Sequence, residues 1–177
     1  MYGIVNKAIK EVFVEKNGID AWDEITSRNN FPHHFLSNDN HPDEMTFSMV
    51  KACCNFESCE ISDFLVRLGK HWILSTSQKY YDKLIPKTNL KKFIKELPSF
   101  HSRVMLIYQD ISPPEFEILE LDNNTLQVDY YSSRLGLDYF MLGLLEGLVD
   151  HFDEYCDIEI LSIKSNIQEP TSFNLKF

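Results

Sequence analysis

Cysteine is scarce in this sequence, and its spacing excludes two classes of protein. Four cysteines occur among 177 residues, and no two of them form a Cys-x-x-Cys pair. Disulfide-rich secreted domains carry cysteine at higher density, and four-cysteine zinc sites are built from such pairs. We therefore expect neither a disulfide framework nor a structural zinc ion, and we expect a reducing, cytoplasmic location. Cys53, Cys54 and Cys59 are predicted to pack as small hydrophobic side chains. Redox sensing by them is the alternative, although no electropositive neighbour in the sequence favours it.

Positive charge and long apolar runs are also in short supply. The chain has 17 Lys and Arg against 27 Asp and Glu, which gives a formal net charge of −10. Such a charge disfavours nucleic acid or an anionic membrane as the main partner but permits a partner with a basic patch. The opening Met1-Tyr2-Gly3-Ile4 lacks the hydrophobic core of a signal peptide, and no apolar run is long enough to span a bilayer.

The chain is long enough for one domain with a sizeable core. The spacing of its apolar residues changes from helical to alternating along the sequence. Apolar residues recur at helical spacing in the first two thirds, and an Asn- and His-rich loop at 29–42 interrupts them. Alternating patterns then predict strands, with one helix among them. The predicted helices are 3–16, 21–28, 43–56, one that Ser62 caps and that runs to about 76, one from 90 to the Ser112-Pro113-Pro114 stop, and 135–152. The predicted strands are 116–121, 125–131, 157–163 and 172–177. This order predicts an α+β fold with a small antiparallel sheet.

Two polar features stand out against this background. Tyr130, Ser132 and Arg134 follow the alternation of a predicted strand, which would direct two hydroxyls and a guanidinium to one face. Such a set can clamp a carboxylate or phosphate, because Arg presents a planar fork of donors. The alternative is an ordinary polar sheet face with one surface arginine.

The second feature is a histidine on an apolar helical stripe. His101 shares this stripe with Leu97, Val104 and Tyr108. A histidine in such a place is either a hydrogen-bonded core residue or a metal ligand through its neutral imidazole. The histidines at positions 33, 34 and 41 lie in the polar loop, where solvated side chains are expected.

Together these residues resemble the H-NOX family of haem nitric oxide/oxygen-binding sensor domains. The matching pieces, in the family's order, are Met1-Tyr2-Gly3-Ile4-Val5-Asn6, His101, Pro114, Tyr130-x-Ser132-x-Arg134 and Gly143-Leu144-Leu145-Glu146-Gly147. The resemblance implies an amino-terminal helical subdomain of about residues 1–60 and a mixed subdomain of about 61–177. It also implies that haem b, which is iron protoporphyrin IX, is buried between them.

The resemblance assigns roles to particular residues. His101 would be the proximal iron ligand, and Tyr130, Ser132 and Arg134 would hold the two haem propionates. Burying two carboxylates without a cation and hydrogen-bond donors would be costly. The residues expected to pack against the porphyrin are Pro114 on the proximal side, Ile4 on the distal side, and Leu144.

The distal position that selects the gas is expected at Phe140. Counting back three residues from Gly143 gives Phe140, whereas a shorter loop after Arg134 would give Tyr139. Phe140 has no hydrogen-bond donor for bound oxygen. Trp72 matches a position that some nitric-oxide-selective members fill with tryptophan. The resemblance therefore implies a sensor of nitric oxide, which also binds carbon monoxide.

We do not expect an enzyme. The 177 residues carry no predicted output domain, so the resemblance implies a bacterial-type, stand-alone sensor that regulates a separate signalling protein, such as a histidine kinase or a cyclic-di-GMP enzyme. A hydrolase using His101 as a base is one alternative, although no nucleophile motif supports it. A cofactor-free interaction module with a core histidine is another.

Overall fold

The computed structural model describes residues 1–81, 88–107 and 113–177, with side chains outside 80–87 and 104–112. The helices are α1 (Gly3–Asn17), α2 (Ile19–Asn29), α3 (Asp43–Glu57), α4 (Ile61–His71), α5 (Ser77–Tyr81), α6 (Leu90–Ile107) and α7 (Asp138–Phe152), with a π-helical turn, Trp72–Thr76, between α4 and α5. The strands are β1 (Glu115–Glu120), β2 (Thr125–Tyr131), β3 (Asp157–Ser162) and β4 (Thr171–Lys176). The α+β fold class is confirmed.

The helices α1 to α4 enclose a first apolar cluster. Its largest fully buried side chains include Phe13, Trp22, Met49 and Phe64, one from each helix. Burying a side chain of this size contributes about 1.5–3 kcal/mol relative to leaving it exposed. The amphipathic stripes predicted from the sequence therefore meet in a common core.

The sheet supplies one side of a second apolar cluster. Its strands are antiparallel in the order β1-β2-β4-β3. Leu126, Val128 and Tyr130 alternate inward along β2 and pack with buried residues of α6 and α7. Tyr130 lies opposite Phe116 of β1 and Thr171 of β4, which fixes the register of β2 at this point. Tyr130, Ser132 and Arg134 are called the clamp from here on.

The helices α4 and α7 pack backbone to backbone at glycines. A Cβ on Gly69 would lie 2.3 Å from the Phe140 carbonyl oxygen, and one on Gly143 would lie 2.2 Å from that of Val66. Gly143 and Gly147 are four residues apart, so they lie on the same face of α7. Only glycine permits an approach this close.

The π-helical turn continues from α4 without a break. Ser77 Oγ donates a hydrogen bond to the Ile73 carbonyl oxygen at 2.6 Å, while Thr76 Oγ1 is buried and has no partner among the described residues. Turns of this kind often occur at functional sites. Here Trp72 is its first residue.

Several sequence predictions differ from the structure at element ends. Helix α4 begins one residue before Ser62, which therefore does not cap it, and α7 begins at Asp138 rather than 135. Gly136 has φ +81°, a conformation that cannot continue a helix. Tyr108 and Ser112 lie outside the described residues. Among the described helices, none is both long enough and apolar enough to cross a membrane.

Candidate functional site

His101 is partly buried on α6 with one ring nitrogen committed to the backbone. Its Nδ1 lies 3.1 Å from the Leu97 carbonyl oxygen, which can only accept a hydrogen bond, so Nδ1 carries the proton. The lone pair is therefore on Nε2. Burial lowers the pKa of His101 below its usual value, and the bond to Leu97 opposes this only in part. The side chain is thus a neutral imidazole whose Nε2 lone pair can coordinate a metal ion.

One aromatic ring, that of Phe116, connects His101 to the signature tyrosine. The centroid of the His101 ring lies 5.1 Å from that of Phe116, which lies 5.7 Å from that of Tyr130. Burial raises the pKa of the Tyr130 phenol, so the hydroxyl remains protonated and can donate. Histidine and tyrosine, 29 residues apart in the sequence, thus share one apolar wall.

The three signature residues come together, but not by strand alternation. Strand β2 ends at Tyr131, so Ser132 and Arg134 lie in the following turn, and the prediction that all three alternate along one strand is wrong. The turn is closed by the Arg134 backbone N–H, which donates to Ser132 Oγ at 3.1 Å. Ser132 also lies near Tyr130 and slightly offsets the rise in its pKa that burial causes.

Arg134 is fastened to the start of α3. Its Nε lies 2.7 Å from Asp43 Oδ2, and the amino terminus of Met1 lies 2.6 Å from Asp43 Oδ1. Burial would raise the pKa of Asp43, but hydrogen bonds and attraction from these two cations lower it below its usual value. Asp43 contacts Nε, so among the described residues the terminal guanidinium nitrogens remain available to another carboxylate.

Lys164 is a second cation at the clamp that sequence reasoning missed. Its residue is only 6% exposed, and its Nζ lies 2.9 Å from the Ser132 carbonyl oxygen and 5.0 Å from the centre of the Tyr130 ring. Burial lowers the pKa of Lys164, and attraction to Asp138 opposes this. No sequence signal pointed to it, because the connection between β3 and β4 brings it to Ser132 from 32 residues away.

The predicted distal residues form a separate group where α4 meets α7. The rings of Trp72 and Phe140 meet edge to face, with centroids 6.2 Å apart. Trp72 packs against both apolar clusters, and Leu144 lies partly buried against the second. Tyr139 is 36% exposed.

Ile4 and Pro114 are placed by the backbone. Ile4 is buried in the first turn of α1, and its N–H donates to the Ser37 carbonyl oxygen at 3.1 Å. Pro114 is partly buried directly before β1, two residues from Phe116. The described side chains connect neither residue to His101 or to the clamp.

The chemistry of these donors fits a haem. A neutral imidazole with a free Nε2 is the form that binds haem iron. One guanidinium, one ammonium and two hydroxyls at the clamp match the charge and hydrogen-bonding needs of two carboxylates. By contrast, no group of three His, Cys, Asp or Glu side chains in the described ranges is arranged to hold a metal ion, and this includes the loop histidines.

Comparisons with known proteins agree with this fit. Residues 2–160 match a family model described as haem-NO-binding. Soluble guanylate cyclase 89Da of Drosophila melanogaster is 23% identical over 158 residues, which are 86% of this chain and 23% of that protein. Guanylate cyclase soluble subunit beta-2 of Homo sapiens is 30% identical over 91 residues, which are 50% and 15% of the two chains. The chain thus spans about a quarter or less of the length of these relatives.

Solved structures extend the likeness to the fold. A Cs H-NOX mutant carrying 4-cyano-L-phenylalanine aligns with a TM-score of 0.89 and 16% identity, covering 100% of this chain and 96% of that one. The Fe(II) unliganded H-NOX protein from K. algicida aligns with a TM-score of 0.85 and 21% identity, covering 99% and 96%. The protein therefore belongs to the haem-NO-binding, or H-NOX, family of haem-based gas-sensor domains.

Proposed function

We propose that this protein binds haem b and senses nitric oxide at ferrous iron opposite His101. The observation that carries the proposal is the tautomer of His101, with Nδ1 bonded to Leu97 and Nε2 left as a lone-pair donor. Bound haem would supply a ferrous iron whose sixth coordination position is open to a diatomic gas. The function proposed is sensing, with no catalytic residues.

The remaining residues would hold and shape the cofactor. Tyr130, Ser132 and Arg134 would bind the propionates, and the buried Lys164 ammonium would add positive potential beside them. The residues that would pack against the porphyrin are Ile4, Pro114, Leu144, Trp72 and Phe140. Phe140 brings no donor to bound oxygen, which supports selectivity for nitric oxide, with carbon monoxide as a second ligand.

The signal would be a movement of the amino-terminal helices, about residues 1–60, against residues 61–177. Support comes from contacts that cross this proposed boundary near the clamp and the distal residues. Arg134 is paired with Asp43, and Trp72 packs against both apolar clusters. A ligand with different affinity for the two arrangements would shift their populations.

The regulated partner is proposed to be a separate signalling protein in the cytoplasm. A histidine kinase or a cyclic-di-GMP enzyme is what the resemblance implies. The curated relatives are guanylate cyclases, which favours a nucleotide cyclase as a further candidate for the regulated activity. Neither nucleic acid nor a membrane is proposed as a partner of a chain with a net charge of −10.

Ferrous-state absorption tests the proposal directly. The protein purified from cells supplied with haem is expected to show an intense Soret band that shifts with nitric oxide and with carbon monoxide. Air is expected to give no stable oxy spectrum. A colourless protein from haem-replete cells would instead support a cofactor-free module, and a stable oxy complex would reject the proposed selectivity.

The distal pocket predicts the effect of one added hydroxyl. Phe140→Tyr is expected to slow oxygen dissociation by about tenfold or more, since a hydrogen bond to a partly charged ligand contributes about 1.5–3 kcal/mol. Stopped-flow oxygen release from the ferrous protein measures this. Tyr139→Phe is the matched control, because Tyr139 is 36% exposed while Phe140 contacts Trp72. An effect confined to position 139 would place the distal residue there.

The clamp predicts different effects for the two members of its ion pair. Arg134→Met keeps the aliphatic stem and removes the guanidinium, so haem affinity is expected to fall by about tenfold to a hundredfold through loss of charge-assisted hydrogen bonds. Asp43→Asn leaves the guanidinium in place, so haem affinity is expected to stay within a few-fold. Competition for haem with apomyoglobin measures both. Equal losses would mean that Arg134 acts by holding α3 rather than by binding propionate.

A further inference from the structure

The carboxyl end of α3 brings two cysteines side by side. Ser58 has left-handed backbone angles, φ 53° and ψ 44°, and its N–H donates to the Cys54 carbonyl oxygen. The next N–H, that of Cys59, donates to the same oxygen at 3.1 Å. The bond from Cys59 is the six-to-one bond of a Schellman turn, in which the side chains of the first and last of six residues commonly touch. Here those two residues are Cys54 and Cys59.

The two thiols are neighbours at the turn and differ in exposure. Burial raises the pKa of Cys54 to about 12, and the nearby Cys59 raises it further. Cys54 is 4% exposed, whereas Cys59 is only partly buried. Cys59 Sγ lies 3.8 Å from Glu57 Oε2. Cys59 is therefore the more exposed residue of the pair.

We propose that Cys54 and Cys59 form a dithiol site that a small-molecule disulfide, such as glutathione disulfide, oxidises to an intramolecular disulfide. Cys59 Sγ, after losing its proton, attacks the reagent and releases one thiol molecule, which leaves a mixed disulfide. Cys54 Sγ then loses its proton and attacks Cys59 Sγ, which releases the second. The protein dithiol loses two electrons and two protons, and one reagent disulfide becomes two thiols.

The remaining two cysteines lie in different surroundings. Cys53 is fully buried in the first apolar cluster, and Cys156 lies beside the second cluster, before β3. A disulfide requires Cα atoms about 4.4–6.8 Å apart. The hydrogen bond from the Cys59 N–H to the Cys54 carbonyl oxygen, at 3.1 Å, ties these two chain positions together.

The position of the pair gives oxidation a structural consequence. Glu57 lies inside the six-residue ring that the disulfide would close. Its carboxylate binds Lys16 at 2.8 Å and Asn17 at 2.8 Å from α1, and Arg67 from α4. Oxidation would therefore rigidify the residue that joins three helices.

The test is anaerobic incubation of the purified full chain with excess glutathione disulfide, followed by alkylation and mass spectrometry. We expect the oxidised wild type to carry two alkyl groups fewer than a control reduced with dithiothreitol before alkylation, with Cys54 and Cys59 in one disulfide-linked peptide. This measurement uses the wild-type protein, so its outcome does not depend on whether a variant folds. The pair lies apart from His101 and the clamp, so the result is independent of haem binding.

Single variants identify the order of attack. Cys54→Ser is expected to stop at a glutathione adduct on Cys59, whereas Cys156→Ser is expected to behave as the wild type. A wild type that stays reduced, or a disulfide that involves Cys53 or Cys156, would overturn the proposal. An adduct on Cys59 in the wild type that never closes to a disulfide would also overturn it.

Discussion

His101→Gly is expected to abolish the Soret band of protein purified from haem-supplied cells, and added imidazole is expected to restore it. Glycine removes the only nitrogen proposed to bind iron while leaving a space that free imidazole can enter. Loss of a metal ligand should lower haem affinity by at least about a hundredfold, because disturbing residues behind a ligand already costs about tenfold to a hundredfold. Absorption spectra with and without imidazole make the measurement.

His71→Gln provides the matched control for that experiment. His71 is another partly buried helical histidine, but its Nε2 lies 3.0 Å from Glu11 Oε2 and it is far from the clamp in the chain. The control should keep a normal Soret band. A His101→Gly protein that retains the band without imidazole would show that another residue binds the iron.

Gly143→Ala is expected to give a net reduction of up to about 2 kcal/mol in the free energy of unfolding, because overpacking a close contact usually costs about 1–3 kcal/mol. The added methyl group would lie 2.2 Å from the Val66 carbonyl oxygen, which is backbone and cannot rotate away. Helices α4 and α7 would have to separate. This loss should outweigh the gain of about 1 kcal/mol that alanine brings to a helix interior. Urea denaturation of the apoprotein gives the difference without interference from haem.

Gly147→Ala separates this steric effect from helix propensity. Its added methyl group would meet Ile73 Cβ at 3.0 Å, Lys70 Cα at 3.1 Å and Ile73 Cγ1 at 3.2 Å, which are looser contacts than the 2.2 Å approach at Gly143. We expect its free energy of unfolding to stay within about 1 kcal/mol of the wild type, because propensity and crowding oppose each other. Equal destabilisation by both variants would show that the contact at Val66 is not specially tight.

The sequence predicted the elements well where a periodic pattern was long. Strand β2 has the predicted bounds, 125–131, and α1 and α3 differ from prediction by one residue at their ends. The pattern failed at boundaries set by single backbone conformations, such as Gly136 before α7. Pro98 lies inside α6 although its missing N–H removes a helical hydrogen bond, so packing of the helix outweighs its local preference.

The candidate site was predictable only in its parts. Helical periodicity placed His101 on a buried stripe, but only coordinates reveal that the Leu97 carbonyl fixes its tautomer. Asp43 reaches Arg134 across 91 residues, and Lys164 reaches Ser132 across 32. Contacts at such separations leave no trace in local hydrophobic patterns, because they depend on how the finished elements pack.

In the π-helical turn between α4 and α5, the number of residues matters more than their identity, because it sets the direction of α5. One residue more or fewer changes the phase of everything that follows by about 100°, since a helical turn takes 3.6 residues. Lys79 now reaches Glu11 of α1 at 3.3 Å, and Ser77 is turned inward. A one-residue deletion here would keep every side chain chemically intact yet aim α5 in another direction. An alignment gap within 72–76 would therefore mark a change of geometry, even between otherwise identical sequences.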